Sequence, residues 1–228
     1  MPNKPVRILE HWQVEESWVL NPGDMLYLPP RVGHNGVAET DGCVTYSIGY
    51  RAAQSGDMLM HFAAFCAAQL KDEDRYADPD LSLRSSSGEI CQSDLERVTS
   101  RFRAFVDDPQ QLARWFGRFV TEPKYPEQED MAALDQQDDG LLAALFEQAD
   151  GCLRRGEGIR FAYCQSGDKV QLFVHGHSFD CPLEMSPLLQ LLCDQNELKA
   201  AELTSWAEHE DGVALLEKLL ASDYLYLV

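Results

Sequence analysis

Basic residues are scarce in this chain of 228 amino acids, which has 19 lysines and arginines against 38 aspartates and glutamates. Surfaces that bind nucleic acid need clustered lysine and arginine side chains to contact the phosphates. The formal net charge of −19 therefore argues against nucleic acid as a partner. An acidic surface of this kind favours a basic partner, such as a cationic protein.

Paired cysteines and long apolar runs are also missing. The seven cysteines are scattered and include no C-x-x-C pair, which is typical of reduced thiols in a cytoplasmic protein. No stretch approaches the roughly 18 consecutive apolar residues of a membrane span. No basic segment followed by an apolar run indicates a signal peptide. We therefore expect a cytoplasmic protein that has no membrane partner.

The patterns that are present divide the chain into three regions and indicate an α+β fold. Residues 1–53 are rich in short strand patterns, residues 54–122 carry helical periodicity, and residues 130–228 mix both. The segment between the last two regions contains prolines and charges that cannot continue a helix, so it is predicted to be a linker.

Strand patterns in the first region surround one histidine. Short strands are predicted between residues 6 and 20, and residues 23–34 then predict a turn, an apolar strand, a proline-stiffened break and His34. Neutral imidazole is a favoured ligand of iron, zinc and copper. In the next predicted strand, residues 44–51, Thr45 and Ser47 share the face opposite the bulky side chains. That small polar face either lines a cavity or faces solvent, and the pattern leaves both open.

Three amphipathic helices are predicted in the second region. The first opens near Met58, and Ser93 is expected to cap the second with Glu96 as its capping-box partner. Asp108 is expected to cap the third, with Pro109 at its first position. Their many aromatic side chains need a large surface to cover. Either the strand-rich region or a second copy of the chain provides that surface, and the sequence permits both.

The third region predicts a winged-helix-like module, because helices surround a hairpin of strands 159–163 and 170–174. One of these helices is predicted over residues 198–206. Residues 130–228 contain 18 acidic and 6 basic residues, a net charge of −12. This charge argues against winged-helix DNA binding, so we assign the module to protein contact or stability.

Other histidines are weaker candidates for a metal site. No His-x-Asp motif precedes His34, and His11 fits no such motif. Residues 209–211 (His-Glu-Asp) match the motif literally, but their polar helical surroundings are typical of a helix cap. Residues 175–177 (His-Gly-His) have a spacing that suits a metal. The central glycine instead indicates a hairpin tip, with side chains that diverge into water.

The segment from Gly23 to Arg51 resembles the closing half of a cupin-type, JmjC-like double-stranded β-helix. More closely, residues 20–53 resemble the bacterial JmjC-type ribosomal oxygenases, which hydroxylate an arginine of a large-subunit ribosomal protein. The Trp-Phe-Gly-Arg-Phe segment at residues 115–119 is similar to theirs. The order of regions also agrees: a barrel in 1–53, a helical dimerisation region in 54–122 and an acidic winged-helix-like domain in 130–228.

This resemblance implies a cytoplasmic, homodimeric, Fe(II)- and 2-oxoglutarate-dependent dioxygenase that acts on a basic ribosomal protein. It places His34 as the distal iron ligand, and it places Thr45 and Ser47 in the pocket for the co-substrate. Thr45 departs from the asparagine expected at its position. No residue of this chain is assigned a catalytic role.

One departure from the family pattern bears on activity. The chain is expected to begin just before the second half of the barrel, so the His-x-Asp strand and the arginine that anchors 2-oxoglutarate are absent. Such oxygenases hold iron with two histidines and one carboxylate, which His34 alone cannot supply. We therefore expect the polypeptide alone to be inert. The alternative is a non-catalytic, cupin-derived, dimeric protein-interaction module, and metal titration discriminates between the two.

Overall fold

A computed structural model describes residues 11, 13–50, 52–84, 86–123, 140–148 and 150–228. The chain divides into two units, Met1–Ala52 and Ala53–Val228. The second unit contains every helix and strand that the structure describes. Within the described ranges, no helix has the length and apolar character needed to cross a membrane.

The first unit is extended chain interrupted by turns. The predicted turn before the apolar segment is confirmed, since the Asp24 N–H donates to the Asn21 carbonyl at 3.0 Å and the Asn21 N–H donates to the Asp24 carboxylate at 2.7 Å. The predicted strands are wrong for residues 13–50, where none is formed. A strand persists only when a neighbour takes up its N–H and C=O groups, and these residues offer none. The strand predicted at residues 6–9 lies outside the described residues.

The three predicted helices are present as α1 (Ser55–Ala67), α2 (Gln92–Val106) and α3 (Pro109–Thr121). Asp108 caps α3 as predicted. Its carboxylate accepts hydrogen bonds from the backbone N–H groups of Gln110 and Gln111, which have no partner within the helix. The cap predicted for α2 is wrong. Cys91 occupies the cap position, and the Asp94 carboxylate accepts the Cys91 N–H at 3.0 Å. In a capping box, the side chain of the third helical residue accepts the backbone N–H of the cap residue. Asp94 does this for Cys91, so the helix begins two residues earlier than predicted.

Helix α3 lies between α1 and the C-terminal strands. On one side, the Trp115 ring packs against Phe62 of α1, with ring centroids 5.0 Å apart. On the other side, Gly117 contacts the Phe173 ring so closely that an added Cβ would overlap it. The sequence left α3 to cover either the strand-rich region or a second copy. In the structure, one side of α3 covers a sheet of the winged-helix region, a surface that was not among these two alternatives.

Within residues 140–148 and 150–228, the structure forms two antiparallel three-stranded sheets and four helices. Its elements are α4 (Leu141–Glu147), β1 (Cys152–Arg155), β2 (Phe161–Ser166), β3 (Lys169–Val174), β4 (His177–Pro182), α5 (Ser186–Asp194), β5 (Glu197–Lys199), α6 (Ala200–Leu203), α7 (Glu210–Ala221) and β6 (Leu225–Leu227). Strands β2, β3 and β4 form one sheet, and β1 lies between β5 and β6 in the other. The predicted hairpin is confirmed as β2 and β3. The helix predicted over residues 198–206 is instead β5, α6 and a 3-10 turn.

Leucines fill the core of this region. Leu145, Leu153, Leu172, Leu189 and Leu216 come from two sheets and three helices, and all are fully buried. Burial of side chains of this kind is worth about 1.5–3 kcal/mol each. The C-terminal region therefore has a hydrophobic core of its own, which joins both sheets through the helices packed on them.

Candidate functional site

His34 is exposed on the chain that follows a turn at Pro29–Val32. Arg31 in this turn has a φ of +71°, which fixes an unusual backbone direction just before the histidine. The Nδ1 atom of His34 lies 3.3 Å from the Val32 carbonyl oxygen. A carbonyl oxygen only accepts, so this contact is a hydrogen bond in the forms of the ring that carry a proton on Nδ1. Among these, the neutral form keeps its lone pair on Nε2, the atom that can then ligate a metal.

Thr45 and Ser47 lie on the extended chain after a further turn, in which the Cys43 N–H donates to the Thr40 carbonyl at 3.3 Å. Both side chains are exposed. Along residues 13–50, neither hydroxyl forms a hydrogen bond with His34, whose ring contacts the Val32 carbonyl. The three predicted site residues are therefore exposed, and no hydrogen bond among residues 13–50 joins either hydroxyl to the imidazole.

The donor set for a metal is incomplete in the described part of the chain. There, no three His, Cys, Asp or Glu side chains are close enough to hold one ion together. A non-haem iron centre of the expected type needs two imidazoles and one carboxylate on a single face. His34 by itself does not fit that requirement. Any iron site built on it requires ligands from elsewhere.

The His-Gly-His segment is a hairpin tip, as predicted. His175 and Gly176 have φ values of +52° and +84°, which are those of a two-residue turn between antiparallel strands. The expectation that the two imidazoles diverge into water is wrong for His175, which is half-buried, whereas His177 is exposed as expected. Both rings lie against Tyr224, at centroid distances of 5.7 Å for His175 and 6.3 Å for His177. The tip therefore packs on the C-terminal segment.

The predicted cap at residues 209–211 is confirmed. His209 precedes α7, and its Nδ1 atom accepts a hydrogen bond from the Gly212 N–H at 3.3 Å. Glu210 and Asp211 occupy the first helical turn, where negative charge interacts favourably with the helix dipole. These residues stabilise the N-terminal end of α7, and they do not form a metal site with one another.

A set of polar contacts between α3 and the hairpin was not found from the sequence. Arg114 forms an ion pair with Asp180 at 2.7 Å, and the Arg118 Nε donates to the Gly176 carbonyl at 2.8 Å. A hydrogen bond from Gln171, helped by Arg114, lowers the pKa of Asp180. The partners are more than fifty residues apart in the chain, so no local pattern marked them. They make α3 an integral part of the winged-helix region.

Helix α2 exposes a second candidate surface. Leu95, Val98, Phe102 and Val106 are exposed on one side of it. On another side, Arg97 bonds Asp80, Asp94 and Tyr76, and so attaches the preceding loop to the helix. Among the described residues, the apolar side is therefore exposed, whereas the polar side is occupied by the chain's own loop.

A family model described as ROXA-like winged helix matches residues 104–226, more than half of the chain. The chain belongs to this family. A second model, described as JmjC domain, matches residues 1–58. These ROXA-like and JmjC matches confirm the resemblance to ribosomal oxygenases that the sequence predicted.

Curated relatives extend this result over nearly the whole chain. The Escherichia coli ribosomal protein uL16 3-hydroxylase is 27% identical over 209 residues, which are 91% of this chain and 53% of the relative. A probable ribosomal oxygenase of Haemophilus influenzae is 33% identical over 232 residues, covering 97% of this chain and 56% of the relative. The ROXA-like chain therefore spans about half the length of the curated relatives it matches.

Solved structures agree at the level of fold. The structure of YcfD, a ribosomal oxygenase from Escherichia coli in complex with cobalt and 2-oxoglutarate, matches with a TM-score of 0.63 at 22% identity. The match covers 79% of this chain and 48% of that one. The predicted fold class, a JmjC cupin-like region combined with a winged helix, is confirmed by these findings.

Proposed function

We propose that this chain contributes to an Fe(II)- and 2-oxoglutarate-dependent hydroxylase of a ribosomal protein, and that by itself it does not catalyse the reaction. The observation that carries the proposal is the JmjC match over residues 1–58, which contain His34, together with the homology to ribosomal oxygenases. The proposed inertness rests on the missing donor set, because the described residues bring no second and third ligand to His34.

His34 is proposed to bind the iron through Nε2. The Nδ1 contact to the Val32 carbonyl supports this choice, since it leaves the Nε2 lone pair available. Thr45 and Ser47 are proposed to line the pocket for 2-oxoglutarate, because they share one side of an extended segment beyond His34. The remaining iron ligands and the group that anchors the co-substrate lie outside the described residues.

The proposed substrate is a basic ribosomal protein, and the proposed location is the cytoplasm. The names of both curated relatives refer to ribosomal oxygenation. The net charge of −19 suits a cationic partner, because opposite charge raises the rate of encounter. We also propose a homodimer that forms through the uncovered apolar side of α2.

A turnover assay tests this function. The full chain is incubated with Fe(II), 2-oxoglutarate, O₂ and ribosomal protein uL16, and succinate and hydroxylated product are measured. We expect no product above the background of iron alone, whereas the Escherichia coli uL16 3-hydroxylase run in parallel gives both. Coupled hydroxylation by this chain alone would contradict the proposed inertness.

The non-catalytic interaction module is the second candidate, and the incomplete donor set favours it. Titration with Mn(II), followed by water-proton relaxation, separates the two when this chain is mixed with the portion of the Escherichia coli relative that lies outside its match, because His34 alone cannot hold the ion. Stoichiometric binding that is lost in His34→Ala, and retained in His209→Ala as a matched histidine control, supports the oxygenase assignment. Equal, weak binding by all three proteins supports the interaction module.

A further inference from the structure

The C-terminal region has four edge strands in the part of the chain that the structure describes, namely β2, β4, β5 and β6. An edge strand has main-chain N–H and C=O groups with no strand beside them, and proteins protect such edges with short strands, charged residues or proline. Strands β5 and β6 contain three residues each, and β4 carries Asp180 and Pro182. Strand β2 has six residues and contains neither a proline nor a charged side chain. It is therefore the edge without these protections.

The hydrogen-bonding pattern determines which groups of β2 point outwards. The His175 N–H donates to the Arg160 carbonyl at 3.1 Å, and these two residues continue the register of β2 and β3. In an antiparallel pair, every second residue bonds to the neighbouring strand, so the main-chain groups of Ala162 and Cys164 bond to β3. The residues that alternate with them have main-chain groups that point away from β3: Phe161, Tyr163 and Gln165.

Both faces of this sheet are covered, which leaves its open edge as the accessible surface. At one face Gly117 of α3 packs on Phe173, and at the other face Leu172 belongs to the leucine core. Tyr163, in the middle of β2, is 42% exposed. Apart from the ladder with β3, no hydrogen bond between main-chain atoms joins β2 to another described residue. An edge of this kind binds an extended polypeptide as an added strand.

Charge decides which polypeptide suits this edge. The segments that flank β2 each carry one acidic and one basic residue, so neither sign is favoured there. These residues are Glu157, Arg160, Asp168 and Lys169. The region as a whole, residues 130–228, has a net charge of −12. Two copies that paired through β2 would bring these like charges together, and an edge contact buries little apolar surface to offset the repulsion. An extended basic segment is attracted instead.

We propose that the outer edge of β2 is a docking site for an extended, basic segment of another protein, which pairs with β2 as an added β-strand. The outward main-chain groups of β2 bind the main chain of the segment, and the Tyr163 ring contacts one of its lysine or arginine side chains. This site goes beyond the proposed function, because it lies outside the JmjC match at residues 1–58 and requires neither iron nor 2-oxoglutarate.

Hydrogen exchange, followed by NMR for each amide of the full chain, tests the docking. The probe is a synthetic peptide of alternating lysine and threonine, and a peptide of alternating glutamate and threonine is its control. At saturation, we expect the basic peptide to slow exchange of the outward amides about tenfold or more. These amides belong to Phe161, Tyr163 and Gln165. The amides of Ala162 and Cys164 should change little, and the acidic peptide should protect none of the outward amides.

A proline variant isolates the main-chain contact. Tyr163→Pro removes an outward N–H but no donor of the ladder with β3, so we expect it to weaken binding of the basic peptide about tenfold. Tyr163→Val also lacks the ring but keeps the N–H, and as the matched control it should bind the peptide more tightly than the proline variant. Circular dichroism checks that both variants are folded. If Tyr163→Pro is not, Gln165→Pro, near the end of β2, takes its place.

Several outcomes would overturn the docking site. The proposal is wrong if the basic peptide leaves the outward amides unprotected, or if the acidic peptide protects them equally. It is also wrong if these amides are protected in the free chain, because the edge is then already occupied, by a second copy where protection grows with concentration. The turnover assay tests the proposed function separately, so the failure of either proposal leaves the other standing.

Discussion

Arg155 holds the C-terminal end of α5 against β1. Its Nη2 group donates to the carbonyls of Leu192, Cys193 and Gln195, and its guanidinium lies 4.7 Å from the centre of the Phe161 ring. Burial lowers the pKa of Arg155, although a guanidinium stays charged in proteins. The last carbonyls of a helix have no partner within the helix, so this side chain takes the place of several missing donors.

We predict that Arg155→Met lowers the free energy of unfolding by about 2 kcal/mol, since it leaves partly buried carbonyls without a donor. Arg154→Met is the matched control. Arg154 pairs with Glu197 on the surface, where both side chains are about half exposed, and such pairs contribute roughly 0–1 kcal/mol. Urea denaturation followed by circular dichroism measures both. If both variants lost the same free energy of unfolding, the hydrogen bonds from Arg155 to the three carbonyls would contribute no more to stability than the surface ion pair of Arg154.

Two cysteines are protected by burial. Desolvation raises the pKa of Cys181 to about 11 and that of Cys193 to about 12. Since the thiolate is the reactive form, fewer than about one in a thousand of these thiols is ionised at pH 8. We predict that Cys43, which is exposed, reacts with iodoacetamide at pH 8 well before either one. Mass spectrometry of peptides from native and urea-unfolded protein checks this order, and equal native rates would contradict it.

At the scale of elements, α3 joins two groups of secondary structure. Its aromatic side packs on α1 through Trp115, and its small side, at Gly117, lies on β3. Thr121 strengthens the second contact, because its Oγ1 accepts the Gly176 N–H at 3.1 Å. The backbone of α3 approaches the Phe173 ring so closely at Gly117 that no side chain fits between them. Glycine allows this contact, although it lowers the intrinsic stability of the helix.

We predict that Gly117→Ala destabilises the protein by about 1–3 kcal/mol, because the new methyl group overlaps the Phe173 ring. The gain in helix propensity, about 1 kcal/mol, is too small to offset this. Gly56→Ala in α1 is the matched control. Nothing lies within 4 Å of the added methyl there, so it should stabilise slightly or change nothing. Thermal unfolding of both variants measures the difference, and a stabilised Gly117→Ala would refute the close packing of α3.

At the scale of the whole molecule, the exposed apolar side of α2 is the surface through which we propose that the chain associates. Phe102 is 68% exposed in a single chain, and exposed aromatic side chains in an apolar strip mark an interface. We predict that the chain is dimeric in light scattering and that Phe102→Glu makes it monomeric. Ser100→Glu, on another side of the same helix, should stay dimeric. A monomeric wild-type chain would remove the basis for the proposed homodimer.

Short-range patterns determined much of this protein from the sequence by itself. The Asp108 cap, the turn at Asn21–Asp24, the hairpin of β2 and β3 and the cap at His209 all depend on residues a few positions apart. Caps and turns are satisfied locally, so their residues identify them without knowledge of the rest of the fold. The resemblance to ribosomal oxygenases likewise came from a contiguous segment around His34.

Only the tertiary structure decided which surfaces meet. Helix α3 packs on β3 at Gly117, and the half-buried His175 ring at the hairpin tip lies against Tyr224, because residues distant in the chain come together there. It also decided that residues 44–50, with a strand pattern, form no strand in this chain. A period-two pattern records which side chains prefer burial, but hydrogen bonds to a neighbouring strand make the strand. That neighbour has to be present in space, and no local pattern can supply it.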